Sequence, residues 1–136
     1  VVGTFATAHR DIAWTLDAES ELPRLPFDAE GLRKVFINLL TNAAEALEGR
    51  EDGAVAVRAS ADPARGLARI SVADNGPGFS QEERARMFEP YFSRKKTGTG
   101  LGLTIVRSIV TDHKGQVRVE AASPHGSVFV VELPLA

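Results

Sequence analysis

The sequence predicts an α/β fold of the α+β kind, with helices layered on one face of a mostly antiparallel sheet, and three observations carry that prediction. Hydrophobic periodicity runs strand, helix, hairpin, helix, hairpin along the chain. Two strand pairs are joined by short turn-rich segments, Ala61 to Gly66 and Ser123-Pro124-His125-Gly126, which makes each pair antiparallel neighbours. The two long helical stretches each carry one apolar side, so each needs a single sheet face to cover it.

Asp11 to Asp17 (DIAWTLD) alternates as a strand, with Ile12, Trp14 and Leu16 sharing one face and Trp14 expected in the core. Pro23 and Pro26 then impose an extended connection. From Glu30 to Glu48 the residues Leu32, Phe36, Leu39, Leu40, Ala43 and Leu47 follow helical spacing, Asp28 fits the N-cap and Gly49 the stop. Ala54 to Ser60 and Leu67 to Ala73 form the first hairpin, and its second strand runs into the turn Asp74-Asn75-Gly76-Pro77-Gly78. A short charged helix is expected near Gln81 to Met87, and a second long helix over Leu101 to His113. Gln116 to Ala122 and Ser127 to Leu133 make the closing hairpin.

At 136 residues the chain reads as a single domain, 1–136, with no repeat or linker to divide it. Lys plus Arg (16) nearly balances Asp plus Glu (18), and the resulting net charge of −2 gives no electrostatic case for nucleic acid or anionic lipid. The absence of cysteine rules out disulfides and thiolate metal sites. No apolar run approaches the roughly 20 residues that span a bilayer, so direct membrane contact by this segment is not expected. His9, His113 and His125 are dispersed without metal-ligand spacing and are assigned surface or capping roles.

The chemistry-bearing residues are polar ones in places where solubility does not demand them. Gly98-Thr99-Gly100-Leu101-Gly102-Leu103 opens a helix, and its alternate glycines let backbone N–H groups approach an anion, with phosphate the natural guest. Asn38, Asn42 and Glu45 are placed on the helix face opposite the apolar stripe; two asparagines one turn apart are either a solvated face or oxygen ligands for Mg2+ beside a phosphate chain. Asp74 ends a strand, where it either closes an Asx turn or accepts a hydrogen bond from the exocyclic amine of adenine. Between Phe79 and the glycine run, Phe88-Glu89-Pro90-Tyr91-Phe92-Ser93-Arg94-Lys95-Lys96 sets aromatics that read as exposed beside three cations: an ordinary basic loop, or a lid over a nucleotide. Other nucleotide motifs fail. His9-Arg10-Asp11 lacks the asparagine that a protein-kinase catalytic loop places five residues on, position 103 is Leu where a dinucleotide fingerprint needs glycine, and no P-loop occurs.

These residues together resemble the catalytic, ATP-binding (HATPase) domain of sensor histidine kinases in the GHKL superfamily, most closely the nitrogen-regulation type. Phe36 to Leu47 (FINLLTNAAEAL) resembles the N box, Asp74 to Phe79 (DNGPGF) the first glycine box, Phe88 to Phe92 (FEPYF) the F box and Gly98 to Leu103 (GTGLGL) the second glycine box, in family order over roughly positions 11 to 134. The resemblance implies a two-layer sandwich with a mixed, mostly antiparallel sheet of about five strands and about three helices on one face. It implies that Asn42 coordinates Mg2+, Asn38 supports the triphosphate, Asp74 binds the adenine amine, and Ser127 assists Asp74 through water. Gly76, Gly78, Phe79 and Phe88 would line the nucleotide, Lys95 would reach it from the lid, and Gly98, Thr99, Gly100, Leu101, Gly102 and Leu103 would admit the phosphates. Asn38, Asn42 and Lys95 would serve the transfer itself.

The activity so implied is transfer of the γ-phosphate of Mg-ATP to a histidine on a separate dimerisation domain, with a response regulator downstream and a cytosolic location. Two departures from the family stand out: Glu45 occupies the place of a common phosphate-contacting lysine, and Lys114-Gly115 replaces a pair of glycines. His9 lies in strand-like sequence unlike a helical phosphoacceptor, so the segment reads as a fragment of a longer kinase. Relatives with other outcomes are hydrolytic ATPases and anti-sigma-factor kinases, which carry Glu where this chain has Asn38, and a domain that binds nucleotide without chemistry.

Overall fold

Strands β1 (Ala13–Ala18), β2 (Ala54–Asp62), β3 (Leu67–Asp74), β4 (Gln116–Ala121) and β5 (Ser127–Pro134) form one five-stranded sheet in the order β1-β2-β3-β5-β4. This is a computed structural model, and it describes residues 2–3, 12–18, 28–89 and 102–135. The β1–β2 pair is parallel and the other three pairs are antiparallel, so the sheet is mixed and mostly antiparallel as expected. The helices with described residues include α1 (Ala29–Ala46), α2 (Gln81–Arg86) and α3 (Gly102–Asp112). Each expected element is present with its ends moved by no more than two residues; Asp11 and Leu101, expected as element ends, lie outside the described residues.

Local chemistry accounts for the helix ends. Asp28 caps α1 by accepting the Glu30 N–H, which satisfies one of the amides that a helix start leaves without a partner. The helix stops at Ala46, before Glu48: the N–H of buried Leu47 turns back to the Ala44 and Glu45 carbonyls, and Gly49 follows in the left-handed region. Ser80 and Glu83 form a reciprocal capping box at the start of α2. His113, at the end of α3, donates from Nδ1 to the Ile109 carbonyl and accepts the Asp28 N–H at Nε2, 3.3 Å away, so it caps two helices at once. Of the surface or capping roles expected for it, this is the capping one.

Alternation along the strands gives the sheet one inner face, made by Ile12, Trp14, Val55, Val57, Ile70, Val72, Val117, Val119, Phe129, Val131 and Leu133. Val35, Leu39, Leu40, Ala43 and Leu47 from the α1 region and Val106 and Val110 from α3 complete the core. Leu16 shares the inner face but is 61% exposed on the edge strand. On the outer face, Glu132 is clamped by Arg69 at 2.6 Å and Arg118 at 2.5 Å, and these hydrogen bonds, Arg69's foremost, hold its carboxyl below the usual glutamate range. The inner alternation continues past Val72 and before Phe129, and so brings Asp74 and Ser127 face to face across β3 and β5.

The Lys114 departure carries a measurable consequence. Lys114 sits at φ 62°, a conformation that costs an L-residue roughly 1–2 kcal/mol and glycine far less. Lys114→Gly is expected to raise stability by about 0.5–1 kcal/mol in denaturant titration, the gain being trimmed by the added freedom of the unfolded chain.

Candidate functional site

The site is built outward from the end of β3. Asp74 is buried to 5% exposure, and both oxygens of its carboxylate are held: Oδ1 accepts the Gly76 N–H at 2.9 Å, and Oδ2 accepts the Ser127 hydroxyl at 3.0 Å. The first bond is the Asx turn expected from the sequence. The second is direct, where the resemblance implied a water-mediated partnership, because the strand register sets the two residues opposite each other. Burial pushes the Asp74 carboxyl above the ordinary aspartate range, while the Gly76 and Ser127 hydrogen bonds and the charge of Arg50 offset part of that rise. A carboxylate oxygen has several lone-pair directions, so each one engaged here can accept a further donor from a ligand.

From this end the site runs along α1. Positions 38, 42 and 46 recur every four residues on one side of the helix, a stripe about 12 Å long. At one end a Cβ on Gly76 would lie 3.1 Å from the Ala46 carbonyl oxygen; at the other a Cβ on Gly102 would lie 2.9 Å from Asn38 Oδ1. The stripe therefore connects the Asp74 turn to the start of α3. Asn38 and Asn42 are half-buried beside this seam, a correction to the expectation of a face opposite the core; Glu45 is exposed. The helix pair explains the difference, since packing α3 against α1 brings part of its polar side indoors. Asn38 donates from Nδ2 to the Lys34 carbonyl at 2.9 Å, which leaves its carbonyl oxygen turned toward Gly102.

Phe88 corrects another expectation. It looked exposed in sequence, but its ring is half-buried and meets Phe129 edge-on, with centroids 6.3 Å apart. Phe79 and Leu103 likewise pack against the core. These three side chains hold the margins of the site to the fold. Lys95, Gly98, Thr99, Gly100 and Leu101, with the rest of the expected lid, lie outside the described residues.

Several residues at the site were missed in the sequence. Asn75 accepts the Ala54 N–H at 2.7 Å and donates to the Asp52 carbonyl at 2.8 Å, tying the turn to the start of β2. Arg50 reaches the Asn75 carbonyl. Thr104 donates to the Phe88 carbonyl at 3.0 Å, joining the start of α3 to the chain that follows α2. His125 contacts the Gly76 carbonyl at 3.1 Å, although it was assigned a surface or capping role. Of these only Asn75 carried a signal, as an Asx residue inside a turn motif; the others act across sequence separations that a local pattern does not register.

Residues 27–136 match the family described as histidine kinase-, DNA gyrase B-, and HSP90-like ATPase. The sensor histidine kinase ZraS of Klebsiella oxytoca is 42% identical over 129 residues, which cover 94% of this chain and 27% of that protein. The sensory histidine kinase/phosphatase NtrB of Rhodobacter capsulatus is 37% identical over 131 residues, 88% of this chain and 36% of that protein. The chain thus spans about a third or less of these relatives' length. Among solved structures, full-length ShkA in complex with AMPPNP matches at TM-score 0.81 and 34% identity, covering 99% of this chain and 29% of that one. The histidine kinase ThkA in complex with the response regulator TrrA matches at 0.82 and 29% identity, covering 98% and 38%.

Proposed function

The chain belongs to the histidine kinase-, DNA gyrase B- and HSP90-like ATPase family, and from that premise we propose that it is the ATP-binding catalytic domain of a two-component sensor histidine kinase of the nitrogen-regulation kind. The observation that carries the reading is the Asp74 carboxylate, buried at a strand end with both oxygens oriented, an acceptor whose chemistry suits the exocyclic amine of adenine. Guanine presents a carbonyl oxygen there, and two facing acceptors are unfavourable. The stripe of Asn38 and Asn42 leads from that end toward Gly102, where the triphosphate would lie. Among the described residues no three His, Cys, Asp or Glu side chains converge as a metal site. A magnesium ion arriving with the triphosphate would take one protein oxygen from Asn42 and would neutralise phosphate charge. With Glu45 in place of a lysine, the protein's own positive charge at the phosphates falls to Arg94, Lys95 or Lys96.

Transfer to a histidine is favoured over hydrolysis by Asn38. Its amide cannot take a proton from water, whereas the hydrolytic members of the family resembled carry Glu at that place. This domain's contribution is then positioning and charge stabilisation, while the nucleophile comes from a histidine on a separate dimerisation domain. The product would pass to a response regulator, and the domain would work in the cytosol as part of a longer chain. Among the described residues no helix is long and apolar enough to cross a membrane.

The test has two arms. Titration with ATP and GTP should show a preference for ATP, and γ-labelled ATP should label a separately supplied dimerisation domain but not this chain alone. Equal affinity for the two nucleotides would refute the base-reading role of Asp74; release of free phosphate at about 1 s⁻¹ or faster would refute the transfer reading. Asn42→Ala should weaken Mg-ATP about tenfold while leaving metal-free ATP within about twofold, because it removes one oxygen ligand and leaves the base pocket intact. Calorimetry with and without EDTA measures the difference, and equal losses would point to a packing defect.

A further inference from the structure

Three consecutive residues of the β4–β5 hairpin engage the Asp74 turn. Ser127 donates to the Asp74 carboxylate, Gly126 packs its backbone on the Asp74 carbonyl, and His125 Nδ1 stands 3.1 Å from the Gly76 carbonyl oxygen, 49 positions away in sequence. A carbonyl oxygen only accepts, so the contact requires the proton on Nδ1. Gly76 is thereby held on both sides: its N–H is spent on Asp74 Oδ1 and its carbonyl receives the imidazole. Nothing else in the Gly76-Pro77-Gly78 turn can supply this restraint from its own side chains, because two residues have none and proline has no donor.

We propose that His125 is a positioning residue of the nucleotide site: by holding the Gly76 carbonyl it fixes the residue whose N–H aims the Asp74 carboxylate at the base. The part of this that concerns the base rests on the function proposed above; the restraint on Gly76 does not. His125 itself is exposed and need not touch the nucleotide. Its effect passes through Gly76 to Asp74, so its loss should blur discrimination between bases more than it lowers affinity for the phosphates they share.

The test uses the 136-residue chain and its variants His125→Ala and His125→Asn, since the Nδ2 of asparagine occupies the place of histidine Nδ1. Long-range ¹H–¹⁵N spectra of the unmodified chain should show the Nδ1–H tautomer; an Nε2–H tautomer overturns the proposal without any variant. Without nucleotide, exchange of the Gly76 amide should speed up about tenfold in His125→Ala, the equivalent of one ordinary hydrogen bond, and return toward the parent rate in His125→Asn. The ratio of ATP to GTP affinity should narrow about three- to tenfold in His125→Ala and recover in His125→Asn. Unchanged Gly76 exchange in His125→Ala, or an unchanged ratio in a parent that does prefer ATP, overturns the positioning role. A parent with no preference, in which Gly76 exchange nevertheless responds and is rescued by asparagine, supports the restraint and removes the base-reading function instead.

Discussion

Asp74→Asn is expected to lower affinity for ATP by about 10- to 100-fold and to abolish its advantage over GTP, the range set by loss of a hydrogen bond to a charged group. The substitution is nearly isosteric, and its remaining oxygen can still accept the Gly76 N–H while its amide faces a Ser127 hydroxyl that can turn to accept. The change therefore acts on the charge and donor pattern offered to the base, and the shape of the turn should persist. Stability should move the other way. Burial raises the Asp74 pKa in the folded chain, so between the ordinary value of 3.8 and the raised one the native state binds more protons than the unfolded state, and stability falls as pH rises through that window. Above it the ionised, buried carboxylate is a standing cost that asparagine does not carry. Ligand-free Asp74→Asn should then melt at or above the parent's temperature at neutral pH, while ATP affinity of the parent should weaken as pH is lowered through the raised pKa. A variant that melts lower and binds both nucleotides equally badly would show damage to the fold instead.

Gly126→Ala should have the largest structural effect. Gly126 sits at φ 110°, where a side chain is strained whatever the space, and a Cβ there would overlap the Asp74 carbonyl oxygen. The obstacle is the backbone of the last residue of β3, held in the sheet between β2 and β5, and it cannot swing aside as a side chain can. The loss should reach about 4 kcal/mol or more, beyond the ordinary range for a single substitution and a large part of a typical domain's 5–15 kcal/mol. Gly49→Ala is the control: φ is 78° but the space is open, so only the left-handed conformation is penalised, by roughly 1–2 kcal/mol. Urea unfolding of both variants decides the matter, and similar losses would show that conformation, and not the collision with Asp74, is what glycine relieves at 126.

Much of this molecule is legible along the chain because the forces involved are local. Period-two and helical alternation, the Asp28 cap and the turn glycines act within a few residues, and each element appears within two residues of where these signals put it. The motif residues Asp74, Asn38 and Asn42 were found because their polarity conflicts with their surroundings in sequence. What they touch was not. The same helical spacing that identified Asn38 and Asn42 placed them opposite the core, and only the packing of α3 on α1 brought Asn38 against Gly102. Phe88 read as exposed because its neighbours are charged, while its ring is taken up by Phe129, 41 positions on. Most telling is the Asp74–Ser127 pair. Either residue could be picked out by its motif, but a direct hydrogen bond between them depends on the register of β3 against β5, since a slip of one residue would send one side chain to the opposite face. The sequence by itself determined the elements and the residue types able to read a base and meet a phosphate. The tertiary structure decided which oxygens are already occupied, which side chains brace the turn, and how far the carboxyl is withdrawn from water, because those depend on distances between segments that no local period encodes.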